Sequence, residues 1–335
     1  MADTHQQIRL ASRPEGRPVS DNWQYSEQAT LPQPEDGQVL VKVQYISIDP
    51  AMRGWMNAGR SYIEPVGIGE VMRALTAGTV VASRHPDFKE GDTVTGRQGV
   101  QSYGLSDGSD LHKVDTSKAP LPKYLSALGM TGCTAYFGLL DIGQPEQGQT
   151  VLVSAASGAV GSVVGQIAKI KGCRVVGIAG GEEKCRYLTD ELGFDAVIDY
   201  KAESVAEAIP QACPDGIDVY FDNVGGEILD AALANLARQA RVVICGAISQ
   251  YNATERAGPA NYMMLLVQHA RMEGFVIFDY RDRIGEAVKD LGQWLAEGRL
   301  QTREDIVEGG IADFPDTLLK LFDGDNFGKL ILKVD

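Results

Sequence analysis

The sequence predicts an α/β protein: a doubly wound parallel sheet joined to a second, smaller and mostly β domain. Three observations predict it. The β-branched run Val151-Leu-Val153 passes through small residues into an amphipathic helical pattern. Strand and helix signals then alternate over about a hundred residues, as they do when parallel strands are joined by crossover helices. Before that run the chain shows short strands, many turns and few helical patterns, up to residue 120.

Taken in order, residues 1–35 are polar and broken by Pro14, Pro18, Pro32 and Pro34, which predicts extended loops and edge strands. Residues 38–49 alternate enough to form a strand, ended by Asp49-Pro50. Residues 54–69 form a loop carrying Gly, Met and Tyr, and residues 78–82 and 92–95 read as further strands. Residues 125–140 are helical in pattern and lead into the central unit. There, strands are expected at 151–153, 174–180, 197–200, 217–222 and 241–246, with helices at 182–192, 204–212 and 227–237 between them. A polar loop, 247–259, leaves the carboxyl end of the fifth strand, where ligands of such sheets bind. A helix at 261–270, a sixth strand at 274–278 and a helical face from Ile284 to Leu295, stopped by Gly298, follow. The tail reads as a helix at 314–322 and a last strand at 324–334 that returns to the first domain. The domains expected are 1–123 with 301–335, and 124–300.

The turn after Val153 carries the chemistry. It reads Ala156-x-Gly158-x-x-Gly161, and Val160, Val163, Val164, Ile167 and Ile170 line one face of the helix that follows. A helix N-terminus offers unpaired N–H groups and a positive dipole end, and small residues let the backbone approach a pyrophosphate. Alone, the pattern reads equally as a tight turn without a ligand; inside the alternating fold it reads as a dinucleotide site. An NAD site usually places an acid at the end of the second strand. Here that end is Ile178-Ala-Gly-Gly181, and Glu182 and Glu183 come later, where they suit a helix N-terminus. Lys184 can meet a 2′-phosphate as a point charge, or stand as a solvated helix lysine. The missing acid tilts the reading toward NADPH.

Composition narrows the classes. The chain has 335 residues, 44% apolar and 23% charged, as in ordinary globular proteins, and is long enough for two cores. A formal net charge of −14 argues against a nucleic-acid partner. No run is apolar enough for a membrane span, and no basic-then-apolar leader opens the sequence. Five scattered cysteines fit reduced thiols, so the expected compartment is the cytoplasm. Catalytic zinc needs three protein ligands. There is no thiol near 45–49, no His between His5 and His85, and no closely spaced cysteine quartet, so no metal is expected.

Six motifs, in this order, carry a family resemblance: Asp49-Pro-Ala-Met-Arg53, Leu128-Gly-Met-Thr-Gly-Cys-Thr-Ala-Tyr-Phe-Gly138, Ala156-Ser-Gly-Ala-Val-Gly-Ser162, Phe221-Asp-Asn-Val-Gly-Gly226, Cys245-Gly-Ala-Ile-Ser-Gln-Tyr-Asn252 and Gly324-Asp-Asn-Phe-Gly-Lys329. With them the chain resembles the medium-chain dehydrogenase/reductase superfamily. The nearer resemblance is to its zinc-free branch of prostaglandin and leukotriene reductases, bacterial curcumin reductases and plant double-bond reductases. The stretch Tyr62-Ile-Glu-Pro-Val-Gly-Ile-Gly-Glu-Val-Met72 resembles the curcumin-reductase subgroup most.

The resemblance implies a GroES-like β-rich catalytic domain beside a Rossmann domain, NADPH as cofactor, and a homodimer joined along the sixth strand. It implies a pyrophosphate on Gly158, Ala159, Val160 and Gly161, and a 2′-phosphate held by Lys184 and Tyr200. Asn223 would reach the ribose and nicotinamide. Cys245, Gly246, Ala247, Ile248, Ser249 and Tyr251 would line the nicotinamide arm, and Phe275, Val276, Ile277 and Asn326 would close over it. On the residues alone, Tyr200 is a strand-end packing residue, and Asn223 and Asn326 are turn-forming side chains. One departure is Ala51, where plant and mammalian relatives carry Tyr; Tyr62, in the matching loop, and Tyr262, by position, are the phenols expected at the substrate, between the domains. The activity implied is hydride transfer to the β-carbon of an unsaturated ketone or aldehyde, in which one or two hydrogen-bond donors stabilise the developing enolate oxygen. Quinone reduction, or NADPH binding without turnover as a redox sensor, are the alternatives.

Overall fold

The computed structural model describes residues 4–255 and 258–334; residues 1–3, 256, 257 and 335 lie outside the described residues, among them the middle of the polar loop expected at 247–259. The polar N-terminal stretch pairs as two antiparallel strands, β1 (His5–Leu10) and β2 (Trp23–Gln28). Strand β3 (Val39–Ser47) buries Val39, Leu40, Val41, Val43 and Ile46. It pairs antiparallel with β4 (Thr76–Ser83), which pairs in turn with β5 (Thr93–Gly96). Two short strands that the sequence did not signal join this sheet, β6 (Tyr103–Ser106) on β3 and β7 (His112–Lys113) on β5. Between β3 and β4 the chain makes one short helix, α1 (Ala51–Trp55).

The second unit begins with α2 (Met130–Phe137) and β8 (Thr150–Val153). It continues through α3 (Gly161–Ile170), β9 (Arg174–Ala179), α4 (Glu182–Arg186), β10 (Ala196–Asp199), α5 (Val205–Ala212) and β11 (Ile217–Asp222). Next come α6 (Gly226–Ala234), β12 (Leu236–Ile244), α7 (Met264–Val267), β13 (Arg271–Gly274) and α8 (Ile284–Ala296). The six strands form one all-parallel sheet in the order β10-β9-β8-β11-β12-β13. Both faces are covered, and the central strands bury every residue of β8. A strand order that reverses between β8 and β11 is a topological switch point, where such sheets bind ligands.

The tail supplies β14 (Glu304–Gly309), α9 (Phe314–Asp323) and β15 (Lys329–Val334). As the sequence predicts, the last strand returns to the first sheet: β15 lies antiparallel to β3, with Leu332 opposite Ile46. Gly324, in the left-handed region at φ +68, ends α9. The chain therefore divides into two compact units, one running to Leu125 and resuming at Glu304, the other Ser126–Arg303.

Two charged residues of the resembling motifs are structural. Lys329, 2% exposed, donates to Ile48 O at 2.7 Å and to Asp49 Oδ1 at 2.8 Å, tying β15 to the end of β3. Arg53, also buried, donates to Pro14 O, Gly16 O and Asn57 Oδ1 and anchors the N-terminal loop.

Some expectations are corrected. The sixth strand is not 274–278 but Arg271–Gly274; it pairs on one side only, so its polar residues stay in water and give no apolar signal. The apolar residues that follow, Phe275 to Phe278, are half-buried, and Ile277–Arg283 is a 3₁₀ turn. The helix expected at 261–270 is only Met264–Val267. Strand β12 starts earlier than 241, because a bulge with Gln239 at φ +62 lets the polar pair Arg238 and Gln239 stay in the strand.

Candidate functional site

The turn after β8 is shaped by close packing. Ala155 takes φ +48, and the Ala156 N–H donates to Ile178 O at 2.9 Å, which draws the turn onto β9. The Gly158 N–H closes on Ala155 O at 3.0 Å. A Cβ on Gly161 would sit 2.4 Å from Ala155 O, so only glycine lets the helix start here. On Gly158 a Cβ would meet only that same oxygen, at 3.1 Å, and otherwise open space. Ala159 and Val160 complete the turn and Gly161 begins α3. The Ser162 and Val163 amides already donate to Gly158 O and Val160 O, so a pyrophosphate would rest on the turn ahead of them, where small residues let the backbone approach closely.

At the end of β9 the structure has glycine where an acid would bind a 2′-hydroxyl. A Cβ on Gly180 would lie 2.6 Å from the Tyr200 ring, so the half-exposed phenol lies against this glycine. Gly181, at φ +96, donates its N–H to Asp199 Oδ1 at 2.9 Å, and Lys201 N–H donates to the same oxygen. Asp199 is thus taken up in the turn. Lys184 is half-buried in α4, while Glu182 and Glu183 face water. A cation and a phenol around a diglycine turn suit a phosphate better than a bare hydroxyl.

The ends of β11 and β12 interlock. Asn223 donates its N–H to Ser154 Oγ at 2.9 Å and its Nδ2 to Ser154 O at 2.8 Å. Its own carbonyl accepts the Ile248 N–H at 3.2 Å. Ser249 donates its N–H and its Oγ to Val224 O, and Ala247 N–H reaches Tyr251 Oη at 3.3 Å. A Cβ on Gly246 would come within 3.1 Å of that phenol oxygen. Burial pushes the Cys245 thiol up to about 12, so the thiol stays protonated at neutral pH. The sequence reading did not single out Ser154, Tyr220 and Asp222, which lie beneath these loops. Asp218, Tyr220 and Asp222 share one side of β11, so alternation alone does not mark the last two as a pair.

Phe275 turns its ring toward Gly138 and Phe221, and meets Tyr280 edge-on at 6.4 Å, so it packs the sheet edge against α2. Val276 precedes the 3₁₀ turn and Ile277 opens it. Tyr262 is 57% exposed, beside Asn261, which is bound to Asp230 on α6. Two of the expected site residues lie in the other unit. Asn326 donates to Gly328 O at 3.1 Å across a turn. Tyr62, 55% exposed, accepts the Trp55 indole N–H at 3.2 Å. Among the described residues no group of three or more His, Cys, Asp or Glu could hold a metal ion.

Comparison with known proteins gives the geometry its context. Residues 6–114 match the family described as the N-terminal domain of oxidoreductase, and residues 159–293 match the zinc-binding dehydrogenase family. The chain is 47% identical to the NADPH-dependent curcumin reductase of Escherichia coli, over 97% of this chain and 95% of that protein. It is 42% identical to mouse prostaglandin reductase 1, over 95% and 96%. The crystal structure of CurA from Vibrio vulnificus in complex with NADPH superposes with a TM-score of 0.93 and 47% identity, covering 98% of this chain and 99% of that one.

Proposed function

The chain belongs to the medium-chain dehydrogenase/reductase superfamily, in its branch of curcumin and prostaglandin reductases, and from that premise we propose that it is an NADPH-dependent reductase of enones and enals. The observation that carries this is identity to the curcumin reductase over almost the whole of both chains, with the phosphate cradle intact in the middle of it. The cofactor, when bound, supplies a hydride to the β-carbon of the unsaturated carbonyl compound, and charge develops on the carbonyl oxygen. This chain's residues bind and orient. Gly158, Ala159, Val160 and Gly161 hold the pyrophosphate, and Lys184 and Tyr200 hold the 2′-phosphate. Asn223 and the segment Cys245, Gly246, Ala247, Ile248, Ser249 and Tyr251 flank the nicotinamide. Phe275, Val276 and Ile277 exclude water from it. Tyr62, whose oxygen already accepts from Trp55, presents a phenol to the carbonyl oxygen, and Tyr262 is the second candidate.

In this reading the nucleotide domain spans 124–300, the remainder is the catalytic domain, and no metal takes part. The protein works as a homodimer: β13 leaves one sheet edge unpaired, and Met263, Leu266, Val267 and Met272 are exposed apolar residues at or close before it. All five cysteines are free thiols, which suits a reducing compartment, the cytoplasm. Among the described residues no helix is long and apolar enough to cross a membrane.

The test is kcat/KM on enone and quinone panels, with NADPH and with NADH, before and after prolonged chelation. Enones should be turned over with NADPH preferred, and activity should survive the chelator; preference for quinones, or loss restored by added zinc, contradicts the reading. Tyr62→Phe should lower kcat/KM for an enone by about 1–3 kcal/mol, the cost of one donor lost from a developing oxyanion, with NADPH affinity unchanged. Unmutated rates in Tyr62→Phe, Tyr262→Phe and the double variant would remove the phenols from the mechanism.

A further inference from the structure

A buried network bridges the point where the strand order reverses. Ser154 follows β8, and Tyr220 and Asp222 lie on β11; the three are 0%, 0% and 1% exposed. Asp222 Oδ1 accepts the Tyr220 hydroxyl at 2.7 Å, the Ser154 hydroxyl at 3.1 Å, and the N–H groups of Val224 and Gly225 at 3.0 and 2.9 Å. Ser154 passes the constraint on, because its Oγ accepts the Asn223 main-chain N–H and its carbonyl accepts the Asn223 Nδ2. The main-chain carbonyl of Asp222 accepts the N–H groups of Cys245 and Gly246 at 2.9 and 3.1 Å. One residue therefore fixes the ends of β8, β11 and β12 and the loops that leave them.

Stability alone does not account for such a group. Burying a carboxylate costs more than filling the same space with apolar atoms, and here burial pushes the Asp222 carboxyl above its ordinary value although Gly225, Tyr220, Val224 and Ser154 oppose that shift. The four neighbours can all donate, so an acceptor-only carboxylate suits them. The turn it braces is also one that residues with a Cβ rarely adopt: Gly225 takes φ +71, ψ −160 and Gly226 takes φ +58. Precise placement of the loops above is what the network supplies.

We propose that Tyr220, Asp222 and Ser154 are positioning residues that preset the loops bearing Asn223 and Cys245 to Ser249 for the nicotinamide half of the cofactor, and leave the adenosine half unaffected. This rests on the assignment of those loops to the nicotinamide. None of the three side chains touches the turn at Gly180, Lys184 and Tyr200 in any hydrogen bond described above, so the two halves of the cofactor separate their effects.

The experiment is calorimetric titration of the cofactor-free protein with NADPH and with 2′,5′-ADP, which carries only the adenosine half. Unmutated protein, Asp222→Asn, Tyr220→Phe and Ser154→Ala are compared. Asp222→Asn keeps the volume and an oxygen at the Oδ1 position, but replaces the charged acceptor of four hydrogen bonds with a neutral, weaker one. It should weaken NADPH about ten-fold or more and leave 2′,5′-ADP within about two-fold, with Tyr220→Phe and Ser154→Ala shifting the same ratio less. Equal weakening of both ligands would show a merely structural role and overturn the proposal, as would no change in either. If Asp222→Asn does not fold, Tyr220→Phe, which loses one oxygen and keeps its ring, decides. Should unmutated protein bind NADPH no better than 2′,5′-ADP, it is the assignment of the nicotinamide loops that fails.

Discussion

Cysteine shows how burial governs chemistry at the scale of one residue. Burial pushes the thiols of Cys133 and Cys245 up to about 12 and those of Cys185 and Cys213 to about 11, and raises Cys173. A thiol whose folded pKa lies above its ordinary 9.0 contributes stability that is complete below pH 9. That contribution is lost as pH rises through the folded values toward 12. Alkylation of the native protein near pH 7.5, followed by mass spectrometry, should therefore be slow at all five sites, and unfolding free energy should fall above pH 9. Fast modification of Cys245 at neutral pH would contradict this. Sequence made some residues legible and hid others for related reasons. Gly158 and Gly161 stand out because a close approach needs a missing Cβ. Lys184 stands out because an acid is missing nearby. Asp222 does not, since an acid in a strand looks like a solvated edge until its neighbours in space are known. Arg53 and Lys329 belong to motifs that resemble a functional family, yet their contacts are with carbonyls and side chains that brace the backbone.

At the scale of the element, period and turn chemistry decide. The buried parallel strands β8, β9 and β11 are short, largely apolar runs and were legible almost to the residue. Strand β13 was not, because an exposed edge strand tolerates Arg271 and Glu273 and hands its apolar signal to the segment after it. The joint between β8 and α3 gives a sharp test. Gly161→Ala drives a methyl into Ala155 O, whereas Gly285→Ala on α8 adds one where nothing lies within 4 Å. Gly161→Ala should weaken NADPH about ten-fold or more by moving the cradle. Gly285→Ala should leave binding alone and gain about 0.5–1 kcal/mol of stability from helix propensity. Thermal unfolding and NADPH titration of both variants check it, and equal behaviour would refute the role assigned to the turn.

At the scale of the whole molecule, the chain leaves its first sheet, builds a second unit, and returns. The return was readable from an apolar strand at the C-terminus, but its fastening was not, since the partners Asp49 and Lys329 lie far apart in sequence. Lys329→Met leaves Asp49 without its cation in a largely buried site and should cost about 3–5 kcal/mol, measured by urea unfolding. A cost near zero would mean that the pair contributes little beyond packing. The proposed homodimer is tested at the same scale: sedimentation at micromolar concentration should give twice the chain mass, and the mass of one chain would refute it. The central claim is that this molecule reduces a conjugated carbon–carbon double bond. It is tested most directly by turnover of an enone with NADPH carrying deuterium at the transferable position, followed by mass spectrometric and NMR analysis of the product. The account predicts a saturated ketone with deuterium on the β-carbon; an allylic alcohol with deuterium on the former carbonyl carbon would contradict it.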